Sequence, residues 1–440
     1  MFAKFSYKSA AEIEERCSEL GISIPLSEDV SVLSESVRFC GRTLRNRLGS
    51  APMEGADSKE DGSPSDLTFS KYRALARGGA ALIWFEAVAL CEDSRSSRGQ
   101  LFPTRENLSE FRRLTDAIRE EGLRANGFAP FLVMQSNHSG RYADSPRPLT
   151  ACSNPFLEKK RKYTEENVAT DEELEKIEEL QEKSAYLARD AGFDAIDVKA
   201  CHGYLAAELL SAYGRPGRYG SDYEGRTRFF KNCVRAAKSA ESDSFSVTVR
   251  LGIFDGFPYP YGFGVKPDGS LTPDMTEPVR LVSDLRREGI DSLCLTMGNP
   301  YVTTHVTRPF NAGQYVPDED PLEGVARICR GVGEVKAANP GVTIFSSGPS
   351  FMRGFSGCYA AGAVKAGLCD GMLFGRLSLS DPSFANDILS TGEPRRDRVC
   401  LGCGKCGDMI RAHLPTGCPV RDPGTYLEYY REFERRKRNG

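Results

Sequence analysis

The sequence has no excess of either charge. Its 440 residues hold 58 Lys and Arg against 61 Asp and Glu, a formal net charge of −3, and so balanced a chain has no electrostatic reason to seek nucleic acid or an anionic membrane. A small molecule or another protein is the expected partner. A long hydrophobic run is also lacking: the longest, GGAALIWFEAVALC from Gly78 to Cys91, is interrupted by Glu86 and is too short for a bilayer core of about 30 Å. No membrane span is expected. The opening residues, MFAKFSYKSAAEIEERC, carry charges where a secretory signal has an apolar core, so the protein is expected to be cytoplasmic. In a reducing cytosol the 14 cysteines read as thiols or metal ligands rather than disulfides. Repeats, low-complexity linkers and a Gly-x-Gly-x-x-Gly after a strand are missing as well, so no dinucleotide-binding region is expected within the chain.

What is present is an alternation. Eight apolar runs read as strands, at 47–53, 81–88, 131–135, 194–201, 246–252, 291–298, 342–348 and 369–376. Most are apolar throughout, as strands covered on both faces should be. Helical patterns separate them, several opening on Ser, Thr or Asp and closing on Gly. Eight alternations with right-handed crossovers predict an α/β fold, a (β/α)8 TIM barrel. Residues 1–395 form this barrel with an N-terminal extension; 396–440 carry a cysteine-rich segment and an amphipathic C-terminal helix. Two long connections, 137–170 and 299–321, leave carboxyl ends of strands and are candidate substrate lids.

Polar residues gather at those strand ends. Glu54 follows the first strand, Gln135 and His138 close the third, Lys199 and His202 the fourth, and Arg250 lies in the fifth. Gly348 and the pair Gly375-Arg376 end the seventh and eighth. Bare backbone amides and a charged fork at that position suit a phosphate, although glycine there also serves turn chemistry.

Near the C-terminus, VCLGCGKCGDMIRAHLPTGCP places Cys400, Cys403, Cys406 and Cys418 in a Cys-x2-Cys-x2-Cys-x11-Cys pattern ending in Cys-Pro. Four thiolates suit zinc, but zinc ribbons usually pair two Cys-x2-Cys knuckles. Three ligands in seven residues with a lone fourth wrap a cubane better, as in bacterial ferredoxins.

The segments LRNRLGSAPMEGAD, MQSNHSGR, AGFDAIDVKACHGYLAAELLS, YGSDYEGRTRFF, VTVRLG, FSSGP and DGMLFGRLSLSDP resemble, in order, the signatures of the Old Yellow Enzyme superfamily of FMN-dependent oxidoreductases. The cysteine run is similar to that of its iron-sulfur branch, which includes 2,4-dienoyl-CoA reductase and trimethylamine dehydrogenase and carries FMN and a [4Fe-4S] cluster. The resemblance implies that Arg250 faces the flavin N1 and C2 carbonyl and that Gln135 bonds the pyrimidine edge. By the same resemblance Pro52 and Met53 line the ring system, and Gly348, Gly375 and Arg376 hold the phosphate. Lys199 and His202 stand where the family grips a substrate oxygen, and Tyr204 where it places its proton donor. Two positions depart from the family: Lys199 replaces a His or Asn and is open to pairing with Glu54 or Asp197, and Glu54 replaces a Thr or Cys near the flavin C4 carbonyl.

Of the four histidines, His138 and His202 fall in these motifs. His305 and Arg308 are weaker candidates for substrate contact, and His413 is assigned no role. Arg141, Arg147, Lys199 and Arg308 hint at an anionic or carbonyl-bearing substrate.

The expected activity is an ene-reductase, with hydride from FMN N5 and a proton from Tyr204. Electrons are expected from outside the chain, from an electron-transfer protein or from NAD(P)H over the flavin. Dehydrogenation of an amine or saturated substrate through the cluster is the alternative. A non-catalytic barrel with a structural zinc is the reading from another class. A homo-oligomer is compatible with the sequence.

Overall fold

The computed structural model describes residues 5–158, 163–311, 313 and 315–439. A short antiparallel hairpin, β1 (Val37–Phe39) and β2 (Arg42–Leu44), precedes eight strands. These are β3 (Leu48–Ser50), β4 (Leu82–Ala89), β5 (Phe131–Asn137), β6 (Ala195–Ala200), β7 (Ser246–Gly252), β8 (Ser292–Thr296), β9 (Thr343–Ser347) and β10 (Gly371–Phe374). They close into one barrel in chain order, β10 pairing β3, with every neighbouring pair parallel. Each lies within or against one of the eight apolar runs, and the strands are almost wholly buried. Burial on both faces is the reason for their unbroken apolar character.

Helices Asp66–Arg77, Leu108–Asn126, Asp171–Asp190, Tyr223–Lys238, Thr276–Arg287, Pro321–Ala338 and Ser356–Lys365 occupy the crossovers. Side chains of Ser65, Thr170, Asp222 and Asp320 cap four of them by accepting first-turn amides, which satisfies donors a helix cannot pair internally. The helix after β9 starts only at Ser356. Pro349–Phe355 forms a 3-10 segment instead, because Arg353 at φ 48° breaks the helical run.

The amino end of the barrel is stoppered by the hairpin. Phe39 meets Trp84, Phe131 and Phe345 edge-on at 6.0, 5.6 and 5.4 Å, a favourable arrangement of ring quadrupoles. With the floor filled, open space is left at the carboxyl end. There the C-terminal segment docks: helices Lys405–Arg411 and Pro423–Asn439 share a small core of Met409, Leu414 and Tyr426. The Thr416 amide donates to the Gly55 carbonyl at 2.6 Å, tying this segment to the loop after β3. The two long connections expected as lids run where predicted, although residues 159–162, 312 and 314 within them lie outside the described residues. Among the described residues no helix is long and apolar enough to cross a membrane.

Candidate active site

A cavity of about 1150 Å3, measured to its open mouth, lies over the carboxyl ends of the strands. At its base Asp197 accepts hydrogen bonds from Trp84 Nε1 (2.7 Å), Gln135 Nε2 (2.7 Å) and the Arg250 amide (2.6 Å). Burial pushes this carboxyl up to about 6, because charge is disfavoured away from water. Gln135 has its NH2 committed to Asp197 and meets the cavity with its carbonyl oxygen. Arg250 lines the cavity beside it, buried, with Nε lacking a partner.

The opposite end is formed by Thr307, Arg308, Gly348, Ser350, Gly375 and Arg376. Gly348 takes φ 91°, a conformation that favours glycine. A Cβ on Gly375 would stand 3.0 Å from Met53 Sδ, so glycine there keeps room beside the Pro52-Met53 wall. Arg376 is 6% exposed, and its Nη1, like Thr307 Oγ1, has no partner. Buried donors of this kind call for an acceptor. A buried cation with free donors at one end, a glutamine carbonyl and Arg250 at the other, and an apolar wall between them fit a phosphorylated flat heterocycle such as FMN.

The third wall carries Lys199, His202, Tyr204 and Tyr301. The Tyr204 hydroxyl is 2.6 Å from that of Tyr301, and Tyr142 stacks on Tyr301 with ring centroids 3.8 Å apart. Lys199 Nζ lies 3.6 Å from the Tyr204 ring centroid. Burial pushes Lys199 down to about 8 and holds Tyr204 well above the ordinary phenol range. His202, at φ 66°, places Nε2 3.3 Å from Thr296 Oγ1; burial, then Arg250 and Lys199, keep it neutral by pushing its pKa far down.

The pairing left open for Lys199 is not formed: among the described residues no carboxylate stands within ion-pair distance of it. Asp197 is occupied by Trp84, Gln135 and Arg250, and Glu54 accepts from Ser96 Oγ. Burial raises the Glu54 pKa despite that bond.

Two other candidates, His138 and His305, make their polar contacts outside this cavity's lining. His138 is not among the residues lining this cavity; its Nδ1 accepts the Gly140 amide at 3.1 Å, and burial pushes it down to about 4. His305 is likewise turned aside, held by Tyr315 at 2.7 Å and by Glu319 at 3.8 Å. Arg308 does reach the main cavity, but at its Gly348–Arg376 end and beside Cys406. Burial, with the repulsion of Arg376, pushes its pKa down to about 10. Arg147 spends its charge on Glu173 near the surface. Conversely Tyr301, Thr307 and Arg411 line this cavity, Tyr142, Ser96 and His413 line a second hollow beside it, and no sequence motif marks any of them as a cavity residue. The one available signal was that Tyr301 and Thr307 stand in the long connection after β8.

Cys400, Cys403, Cys406 and Cys418 all line one small hollow next to Arg376 and Arg421. The Gly402 amide donates to Cys400 Sγ at 3.4 Å, and the Val420 and Arg421 amides bond Cys418. Gly402 and Gly404 take φ 71° and 79°, letting the chain turn between ligand positions. Amides directed at sulfur favour thiolates, while burial, with Cys400 and Cys403 nearby, pushes Cys406 up to about 11 against the pull of Arg308 and Arg376. Among the described residues no three His, Cys, Asp or Glu converge closely enough to hold a single metal ion. The all-sulfur donor set around a shared hollow fits a cluster held at its periphery.

A model of the NADH:flavin oxidoreductase / NADH oxidase family matches residues 35–261. The chain is 28% identical over 416 residues to the 4,4'-dithiodibutanoate disulfide reductase of Rhodococcus erythropolis, covering 88% of this chain and 94% of that protein. It is 28% identical to the NADPH dehydrogenase of Listeria innocua, over 66% of this chain and 79% of that one. Among solved structures, a 2-naphthoyl-CoA reductase complex superposes with TM-score 0.72 at 19% identity, over 89% of this chain and 57% of that chain. Histamine dehydrogenase from Rhizobium sp. 4-9 gives 0.68 at 18% identity, over 90% and 53%. The chain thus spans just over half the length of these two structures, and their likeness is one of fold. With the matched family model covering more than half of the sequence, the chain is a flavin-dependent oxidoreductase belonging to the NADH:flavin oxidoreductase / NADH oxidase family.

Proposed function

We propose that the protein reduces an activated carbon–carbon double bond, using FMN and a [4Fe-4S] cluster. The observation that carries this reading is a buried, protonated tyrosine, Tyr204, in the cavity wall between a cation and a second phenol. Bound FMN supplies the hydride. Lys199 and His202 grip the substrate's activating oxygen and draw electron density from the double bond, and Tyr204 gives its hydroxyl proton to the α-carbon. The phenolate left behind lies against the Lys199 ammonium and accepts from Tyr301, so the wall that keeps the proton at rest also stabilises its loss. A positioned acid of this kind contributes about 10²–10⁴-fold.

Arg250 and Gln135 hold the pyrimidine edge of the cofactor. Gly348, Gly375 and Arg376 hold its phosphate, and Pro52, Met53 and Glu54 line its ring. Cys400, Cys403, Cys406 and Cys418 hold the cluster, whose chemistry is single-electron exchange. Its place at the rim, with Cys403 exposed, supports an electron-transfer protein as donor; the NADPH dehydrogenase relatives support a nicotinamide. Dehydrogenation of a cationic amine is disfavoured. Three tyrosines do pack together as a cage would, but Lys199 occupies the Tyr204 face and would repel a second cation.

The test is anaerobic stopped-flow reoxidation of the reduced protein by enones, enoyl thioesters and unsaturated carboxylates, repeated with Tyr204→Phe. At least one class should reoxidise the wild-type flavin far faster than buffer, and the variant should lose most of that rate. Reoxidation by none of them sinks the reading.

A further inference from the structure

Beside the main cavity lies a second hollow that the proposed reaction does not use. It encloses about 1010 Å3 to its mouth and shares Glu54, Tyr301, Ile410 and Arg411 with the first. Part of its wall is Arg141, 1% exposed. Arg141 Nε and Nη2 bond the Glu208 carboxylate, the latter at 3.0 Å, and Nη2 also reaches the Cys152 carbonyl at 3.3 Å. Its Nη1 has no hydrogen-bond partner. A buried guanidinium donor left unsatisfied carries the full loss of its hydration, and an anion entering the hollow would remove that penalty.

Arg411 lines the same hollow, 3.3 Å from Asp408. The carboxyl that also borders it, Glu54, is tied to Ser96 and pushed toward its neutral form by burial. Each guanidinium keeps one carboxylate partner, Arg141 with Glu208 and Arg411 with Asp408, so what the hollow offers a ligand is the free Arg141 Nη1 beside the Arg411 guanidinium. Tyr142 and Tyr163 give the hollow flat apolar sides, the Tyr163 ring centroid 5.1 Å from the Arg141 guanidinium carbon.

We propose that this second cavity is a subsite for a carboxylate carried on an arm of the substrate, with Arg141 Nη1 and Arg411 as its recognition groups. The inference rests on the reduction assigned to the main cavity, since the shared residues let one molecule span both: reducible bond beside Tyr204, carboxylate beyond Tyr301. Guanidinium donors match a carboxylate in charge and in planar geometry.

Binding tests it without turnover. The oxidised holoprotein is titrated with 3-phenylpropanoate and with its methyl ester, followed by perturbation of the flavin spectrum and by equilibrium dialysis. The acid should bind at least tenfold more tightly than the ester. Arg411→Gln should remove that preference, and Arg411→Lys should restore part of it. Equal affinity for acid and ester, or a preference that survives Arg411→Gln, overturns the subsite. A clear acid preference in a protein whose reduced flavin is reoxidised by no enone, enoyl thioester or unsaturated carboxylate keeps the subsite and sinks the reductase reading instead.

Discussion

Lys199 rests its ammonium on an aromatic ring, where most buried lysines find a carboxylate. Its pKa near 8 lies below the ordinary lysine value of about 10.4, so the folded state releases this proton before the unfolded chain does. The cost of burying the charge is fully present below pH 8 and fades as pH rises toward about 10. Two outcomes follow at this scale. The rate of substrate reduction should fall as pH rises through about 8, and Lys199→Met should abolish that limb while lowering the plateau; a pH profile of flavin reoxidation reads both. Tyr301→Phe, which removes one hydrogen bond to the Tyr204 phenolate, should slow the same step by roughly tenfold, about the worth of a single bond, without changing flavin content. An unchanged rate would mean that Tyr301 only packs. The motif at the end of β6 made Lys199, His202 and Tyr204 legible, because those residues stand together in the chain. Tyr301 was not, since nothing local marks a tyrosine that meets Tyr204 from 97 positions away.

The elements are held by two devices of different legibility. Phe39 packs three rings at the barrel floor, and Phe39→Ala should cost about 3–5 kcal/mol, read by urea denaturation. Beneath the loop after β3, Lys71 Nζ bridges Glu86 at 2.6 Å and Asp57 at 3.2 Å, while Glu86 accepts the Gly55 amide at 2.7 Å. This network sets the course of the segment that carries Glu54. Lys71→Met would strand two buried carboxylates, and breaking such a group costs about 3–5 kcal/mol; the same denaturation series should show it, with reduced FMN retention. Apolar runs made the eight strands readable, because a strand buried on both faces must be apolar along its length. In the sequence Glu86 is only a break in such a run, since its partner Lys71 lies on a neighbouring helix.

At the scale of the whole molecule the cysteine segment is also a wall of the main cavity, to which Cys406, Gly407, Ile410, Arg411 and Thr416 contribute. This couples the two proposed redox sites by construction. Cys406→Ser or Cys418→Ser should lose iron, and with it broad visible absorbance, while the yellow flavin bands remain, because Gln135, Arg250 and Arg376 belong to the barrel. Metal analysis of anaerobically prepared protein checks this, and stoichiometric zinc in place of iron would overturn the cluster. Sequence by itself determined the barrel, the order of its strands and the cysteine spacing, because these follow from periodicity and from neighbours along the chain. Only the tertiary structure decided that His138 and His305 turn away, that Lys199 sits on a ring instead of a carboxylate, and that a second cavity opens beyond Tyr301. Those outcomes depend on which distant side chains converge and how much water they exclude, and no local pattern encodes that.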